Sequence, residues 1–150
     1  MGGSYGGFMT LAVLVEDPGL WDAGVDTVGI ANRHTFFRNM PPWRGVMRKR
    51  EYGDPDGAES EFLRQIRPIH SADRITAALL IIHGRNDPRV PPEESEQIVE
   101  KAPNAEIIVF DDEGHGVVKL ANQVTANSRI LAFLQERLLG TFQAASGHGT

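Results

Sequence analysis

Three residues of this 150-residue chain could together carry out nucleophilic acyl transfer: Ser4, Asp87 and His115. Ser4 lies in Gly2-Gly3-Ser4-Tyr5-Gly6, a G-x-S-x-G run. That run fits a nucleophile elbow, a strained turn from strand to helix in which neighbouring side chains would clash and glycines are required. The Tyr5 N–H, at the start of the following helix, is the expected oxyanion donor. Asp87 stands in His83-Gly84-Arg85-Asn86-Asp87, directly after an apolar run, where a triad acid belongs. His115 stands in Glu113-Gly114-His115-Gly116 after the next apolar run, and its two glycines leave the ring free to approach a serine. In these roles His115 takes the Ser4 proton and returns it to the leaving group, while Asp87 fixes the imidazole tautomer.

Each segment also has an ordinary reading: a flexible glycine-rich terminus, an Asn-Asp-Pro turn, and a surface histidine in a turn. Their chain order favours the triad. Serine, then acid, then histidine is the order of α/β-hydrolases, not that of chymotrypsin or subtilisin. A second Gly-His-Gly, at Gly147-His148-Gly149, has no preceding strand to place it and is set aside. His83, at a strand end, reads as structural, and nothing places His34 or His70 near the site.

The elements that must position these residues are legible in the hydrophobic pattern. Residues 5–16 read as a helix stopped by Asp17-Pro18-Gly19, and residues 24–30 as a short buried strand. Short helices are expected around 33–39, 44–51 and 59–66, between the breakers Pro41-Pro42, Gly53 to Gly57 and Arg67-Pro68. Leu79-Leu80-Ile81-Ile82 and Ile107-Ile108-Val109-Phe110 are continuous apolar runs, which suits parallel strands covered on both faces. A helix over residues 91–101 opens with proline and glutamates. A long closing helix is expected to bury the stripe Leu120, Val124, Leu131, Leu134 and Leu138. The alternation predicts an α/β fold, a mostly parallel sheet with helices on both faces, over residues 1–139, with 140–150 as a disordered tail. Ligands of such sheets sit beyond the carboxyl ends of the strands.

The three segments also resemble the prolyl oligopeptidase family of serine peptidases, which includes acylaminoacyl peptidases and dipeptidyl peptidases. The resemblance is carried by residues 2–10, 83–91 and 112–116, with Pro41-Pro42-Trp43, Glu51-Tyr52-Gly53-Asp54-Pro55 and Ser71 between them. It implies a partial α/β-hydrolase fold and cleavage of short or N-acylated peptides through an acyl-enzyme on Ser4. It further implies that Arg89 binds a substrate carbonyl and that Val90 contributes to a small apolar pocket. Two departures, Val117 in place of an aromatic and the short connection at residues 101–104, touch no triad position.

The larger departure is at the start. The family places several strands, an oxyanion-loop donor and a β-propeller ahead of the serine, whereas three residues precede Ser4 here. The elbow is therefore expected to lack a supporting strand, and the sheet to expose an apolar edge that invites a second copy. A carboxylesterase-like hydrolase and a non-catalytic fragment of such a peptidase are the competing readings.

Composition closes off other classes. A net charge of −5 argues against nucleic acid and anionic membranes as partners. The absence of cysteine excludes disulfides, thiolate zinc sites and a cysteine nucleophile. No stretch approaches the roughly eighteen apolar residues of a membrane span. The N-terminus lacks a basic signal-peptide region, and Gly6 spoils a myristoylation match. Asp54-Pro55-Asp56-Gly57 reads as a turn, because Ala58 stands where a calcium ligand should be. Asp111, Asp112 and Glu113 with His115 could bind a metal, yet their glycine-flanked, post-strand setting favours the triad. Arg44, Arg48, Lys49 and Arg50 read as a solvated helix face. No cofactor or metal is expected; a peptide substrate is.

Overall fold

The structure, a computed structural model, describes residues 1–40 and 42–139. Four parallel strands, β1 (Gly2–Gly3), β2 (Ala23–Thr27), β3 (Ala78–Gly84) and β4 (Ala105–Phe110), lie side by side in chain order. Helix α1 (Tyr5–Glu16) joins β1 to β2, and α5 (Glu93–Lys101) joins β3 to β4. Between β2 and β3 run α2 (Arg33–Arg38), α3 (Pro42–Tyr52), α4 (Ser60–Gln65) and a 3-10 segment (Pro68–Arg74). Helix α6 (Leu120–Leu134) follows β4 and ends in a π-turn (Gln135–Leu139).

The apolar run of β3 is sealed on both faces, as a central parallel strand must be. Leu79 and Ile81 pack with Leu11 and Leu14 of α1, Ile98 of α5, Ile69 of the 3-10 segment and Ile75 just after it. Leu80 and Ile82, pointing the other way, pack with Val25, Phe110 and the α6 residues Ala126 and Phe133. Alternate residues of one strand thus anchor opposite helical layers. The chain has the expected α/β architecture.

Four expectations are corrected. Ser4 does have a supporting strand: Gly2 and Gly3 pair with Asp26 and Thr27, and the Ser4 N–H donates to the Thr27 carbonyl at 2.9 Å. Two residues suffice because Gly2 fits tight against α1, where a Cβ would stand 2.3 Å from the Gly6 carbonyl oxygen. Only Gly2 of the elbow's two motif glycines is sterically required, since a Cβ on Gly6 would meet nothing within 4 Å. Strand β2 ends at Thr27 and does not reach residue 30, because Val28 turns to φ 50° while its N–H still reaches the Ile82 carbonyl at 2.9 Å. Positive φ is costly for a β-branched residue, and it breaks the strand. Lastly, α6 buries Ala126 and Phe133 with Ile130 and Leu134 against the sheet and leaves Leu120, Val124 and Leu131 exposed, as the π-turn leaves Leu138. Of the expected stripe Leu134 alone packs there; Phe133 and the small Ala126 fit the surface made by Leu80 and Ile82.

Among the described residues β1 pairs only with β2, and no helix is long and apolar enough to cross a membrane. The expected tail at 140–150, with His148, lies outside the described residues, as does Pro41.

Candidate active site

The strands run parallel, so the loops leaving them gather at one edge of the sheet. Ser4 stands between β1 and α1 with φ 56° and ψ −116°, a strained turn for a residue with a side chain. Helix α1 begins at the next residue, so the Tyr5 N–H has no acceptor within the helix. The Tyr5 side chain lies flat against Tyr52 at 5.6 Å between ring centres.

Asp87 follows β3. Its carboxyl is enclosed: Oδ1 accepts the backbone N–H groups of Arg89 (2.7 Å) and Val90 (3.0 Å), and Oδ2 accepts from His115 Nδ1 at 2.8 Å. Burial alone would raise its pKa. The His115 ring and the Val90 and Arg89 N–H groups outweigh burial and hold the carboxyl below its usual range. The other ring nitrogen of His115, Nε2, lies 3.0 Å from Ser4 Oγ. A carboxylate can only accept, so Nδ1 carries the proton and Nε2 is free to accept the Ser4 hydroxyl. Serine, histidine and aspartate, more than a hundred residues apart along the chain at the ends, form one hydrogen-bonded line.

Close packing holds the loops of the acid and the histidine together. A Cβ on Gly84 would stand 2.2 Å from the Gly114 carbonyl oxygen, so only glycine lets the histidine loop lie over the end of β3. The Asn86 N–H donates to the Glu113 carbonyl at 2.9 Å, and Asn86 Nδ2 to the Asp111 carbonyl at 2.6 Å. Glu113 is buried, and its carboxylate accepts from the N–H groups of Val118 and Lys119 and from Asn122 Nδ2. Burial pushes that carboxyl up, and these donors bring it below its usual range. Glu113 therefore staples the histidine loop to the start of α6. Its position next to Gly114-His115-Gly116 is the one sequence signal that marks it.

The remaining sequence candidates have definite places. His83 is fully buried; Nε2 donates to the Val90 carbonyl at 3.0 Å and Nδ1 accepts from Ser95 Oγ at 2.6 Å. Burial lowers its pKa, so the ring is a neutral strut behind Asp87. Val90 is buried with Phe8, Ile30, Phe36 and Met40 in an apolar cluster beside Ser4. The Arg89 side chain is exposed and makes no ion pair among the described residues. Asp111 pairs with Arg85 and Asp112 with Lys119 and Asn122, so each of these carboxylates already has its own partners. The Asp54 loop is a turn: the Gly57 N–H donates to the Asp54 carbonyl, and Lys49 pairs with Asp54 and Asp56.

A parallel sheet with helices on both faces is the architecture of the α/β-hydrolase peptidases. Solved structures match it across most of the chain. A puromycin-hydrolysing peptidase of Mycobacterium tuberculosis superposes with a TM-score of 0.82 at 28% identity, over 91% of this chain and 21% of that one. The acylaminoacyl peptidase of Pyrococcus horikoshii gives 0.82 at 23% identity, over 99% of this chain and 24% of that one, a likeness of fold.

The chain belongs to the prolyl oligopeptidase family of serine peptidases, whose sequence pattern matches residues 1–141. It is 38% identical to dipeptidyl peptidase family member 6 of Caenorhabditis elegans, over 95% of this chain and 20% of the relative. It is 39% identical to dipeptidyl aminopeptidase BIII of Pseudoxanthomonas mexicana, over 93% of this chain and 22% of the relative. The chain thus spans about a fifth of the length of these relatives.

Proposed function

We propose that this chain carries the catalytic apparatus for hydrolysing short or N-acylated peptides through an acyl-enzyme on Ser4. The observation that carries the reading is the unbroken line from Ser4 Oγ to His115 Nε2 (3.0 Å) and from His115 Nδ1 to Asp87 Oδ2 (2.8 Å). Ser4 Oγ attacks the scissile carbonyl as its proton passes to His115 Nε2. The carbonyl oxygen takes up the negative charge, and the Tyr5 N–H at the start of α1 stabilises it. The C–N bond then breaks and the leaving amine receives the proton from His115. Water, deprotonated by the same ring, releases the acid product and restores Ser4. Asp87 keeps the Nδ1–H tautomer and balances the imidazolium.

Two side chains extend the reading to the substrate. Arg89 reaches solvent two residues beyond the acid, where a guanidinium can donate to a peptide carbonyl. Val90, buried among Phe8 and Phe36, backs an apolar wall beside Ser4. The names of two relatives, a dipeptidyl peptidase family member and a dipeptidyl aminopeptidase, support the choice of short peptides as substrates.

The test is turnover of N-acyl-amino-acid and dipeptidyl p-nitroanilides by the chain and by Ser4→Ala. Release of p-nitroaniline that disappears in Ser4→Ala supports the reading. Turnover of p-nitrophenyl esters with none of the anilides would replace the peptidase by an esterase.

A further inference from the structure

One cation beside the site has no evident work in the proposed chemistry. Arg33, the first residue of α2, is only 7% exposed, yet no carboxylate among the described residues pairs with it. Its guanidinium carbon lies 4.5 Å from the Phe8 ring centre, 5.5 Å from that of Tyr52 and 6.0 Å from that of Tyr5. Tyr5 is the residue after Ser4, and Phe8 lies one turn further along the same helix. The aromatic faces offset part of the cost of burying the charge. Of the five N–H donors that a guanidinium offers, the bond from Nη1 to the Tyr52 carbonyl at 3.1 Å is the one that finds an acceptor among the described residues. The nitrogens left without a partner are not sealed from solvent.

A second arginine on the same tyrosine shows the contrast. Arg48 sits 5.4 Å from the Tyr52 ring centre, but its charge is answered by Glu51. Two more guanidiniums border the site without an ion-pair partner among the described residues. Arg44 donates to the Pro88 carbonyl in the loop of Asp87, and Arg89 is exposed beside it. Positive charge therefore gathers around Ser4 in a chain of net charge −5. A planar, always-charged fork with free donors in a partly desolvated aromatic setting matches a carboxylate.

We infer that Arg33 is a specificity-determining residue that anchors a carboxylate of the substrate beside the scissile bond. The carboxylate can be an Asp or Glu side chain on the acyl side or the free C-terminus of a short peptide. This inference rests on Ser4 being the nucleophile.

The experiment compares matched substrates on the chain, Arg33→Met and Arg33→Lys, each first checked for labelling of Ser4 by a fluorophosphonate. One pair is Ala-Asp and Ala-Asn p-nitroanilide; the other is tri-alanine as free acid and as amide. The expected result is a preference of roughly tenfold to a hundredfold in kcat/KM for the acidic member of one pair, which identifies the source of the carboxylate. That preference collapses in Arg33→Met, which keeps the apolar stem and Ser4 labelling, and is partly kept in Arg33→Lys. Equal turnover of both members in both pairs, or a preference that survives in labelled Arg33→Met, overturns the inference alone; turnover of none overturns it together with the peptidase reading. Absence of Ser4 labelling in the unsubstituted chain overturns the proposed function and this inference with it.

Discussion

Two buried aspartates at the carboxyl ends of neighbouring strands have opposite surroundings. Asp87, just beyond β3, receives two backbone N–H groups and the His115 ring, and its carboxyl is held below its ordinary range. Asp26, in β2, is fully buried, and neither carboxyl oxygen has a hydrogen-bond partner. Burial raises its pKa from 3.8 to about 7; the nearby Gly29 N–H offsets this only in part and closes no well-formed hydrogen bond. Burial is common to both, so donors make the difference. A buried acid that is to stay ionised has to be built with convergent N–H groups. Without them the carboxyl takes up a proton near neutral pH.

The comparison is broken most severely by Asp87→Asn. The amide presents N–H where the ring needs an acceptor and selects the wrong histidine tautomer. In Ser-His-Asp proteases that change costs about 10⁴-fold in kcat, and a loss of that order is expected here in p-nitroanilide turnover. A loss below tenfold would mean that Asp87 does not orient His115.

Asp26→Asn probes the other half through stability. Between 3.8 and about 7 the folded chain keeps a proton on Asp26 that the unfolded chain has lost. Stability therefore falls as pH rises across that window and levels off above it. The cost at pH 8 is on the order of a few kcal/mol. Glu94, also pushed to about 7 by burial, contributes with the same sign, so the informative quantity is the difference between the two proteins. Urea unfolding at pH 4.5 and pH 8 should show Asp26→Asn close to the parent at the lower pH and more stable at the higher. Asp87 has the opposite sign: its contribution is present above 3.8 and lost as pH falls through its lowered value.

Gly84→Ala leaves both acids in place and displaces the partner of one. The added methyl would meet the Gly114 carbonyl oxygen at 2.2 Å, so the His115 loop must shift. A misplacement near 1 Å costs about a hundredfold, which should appear in kcat with Asp26-linked stability unchanged. The smallest effect is expected from Arg85→Met. It removes an exposed, solvent-screened pair with Asp111 at the rim of the same loop, and activity should stay within about twofold.

Much of the fold could be read from the chain. The unbroken apolar run at residues 79–82 marks the strand buried on both faces, and proline and glycine breakers bracket helices that fall within three residues of expectation. Ser4, Asp87 and His115 stood out because each follows a strand or elbow signal in the order of one fold. What escaped depends on contacts between distant residues. Gly2-Gly3 has no strand propensity and becomes a strand through pairing with Asp26 and Thr27. Val28 at positive φ has no local signature. The leucines of α6 outnumber its buried residues, yet the sheet accepts Ala126 and Phe133 because these fit Leu80 and Ile82. Nothing in the sequence distinguishes Arg33 from the other Lys and Arg residues, fifteen in all; its setting is made by Phe8, Tyr5 and Tyr52, which only the fold brings around it.

The central claim is that Ser4 is activated by His115. Intact-mass and peptide mapping of the folded chain after treatment with a fluorophosphonate tests it most directly. The account predicts one adduct, on Ser4, that is lost in His115→Ala. A folded chain that takes no adduct, or labels equally well without His115, would contradict it.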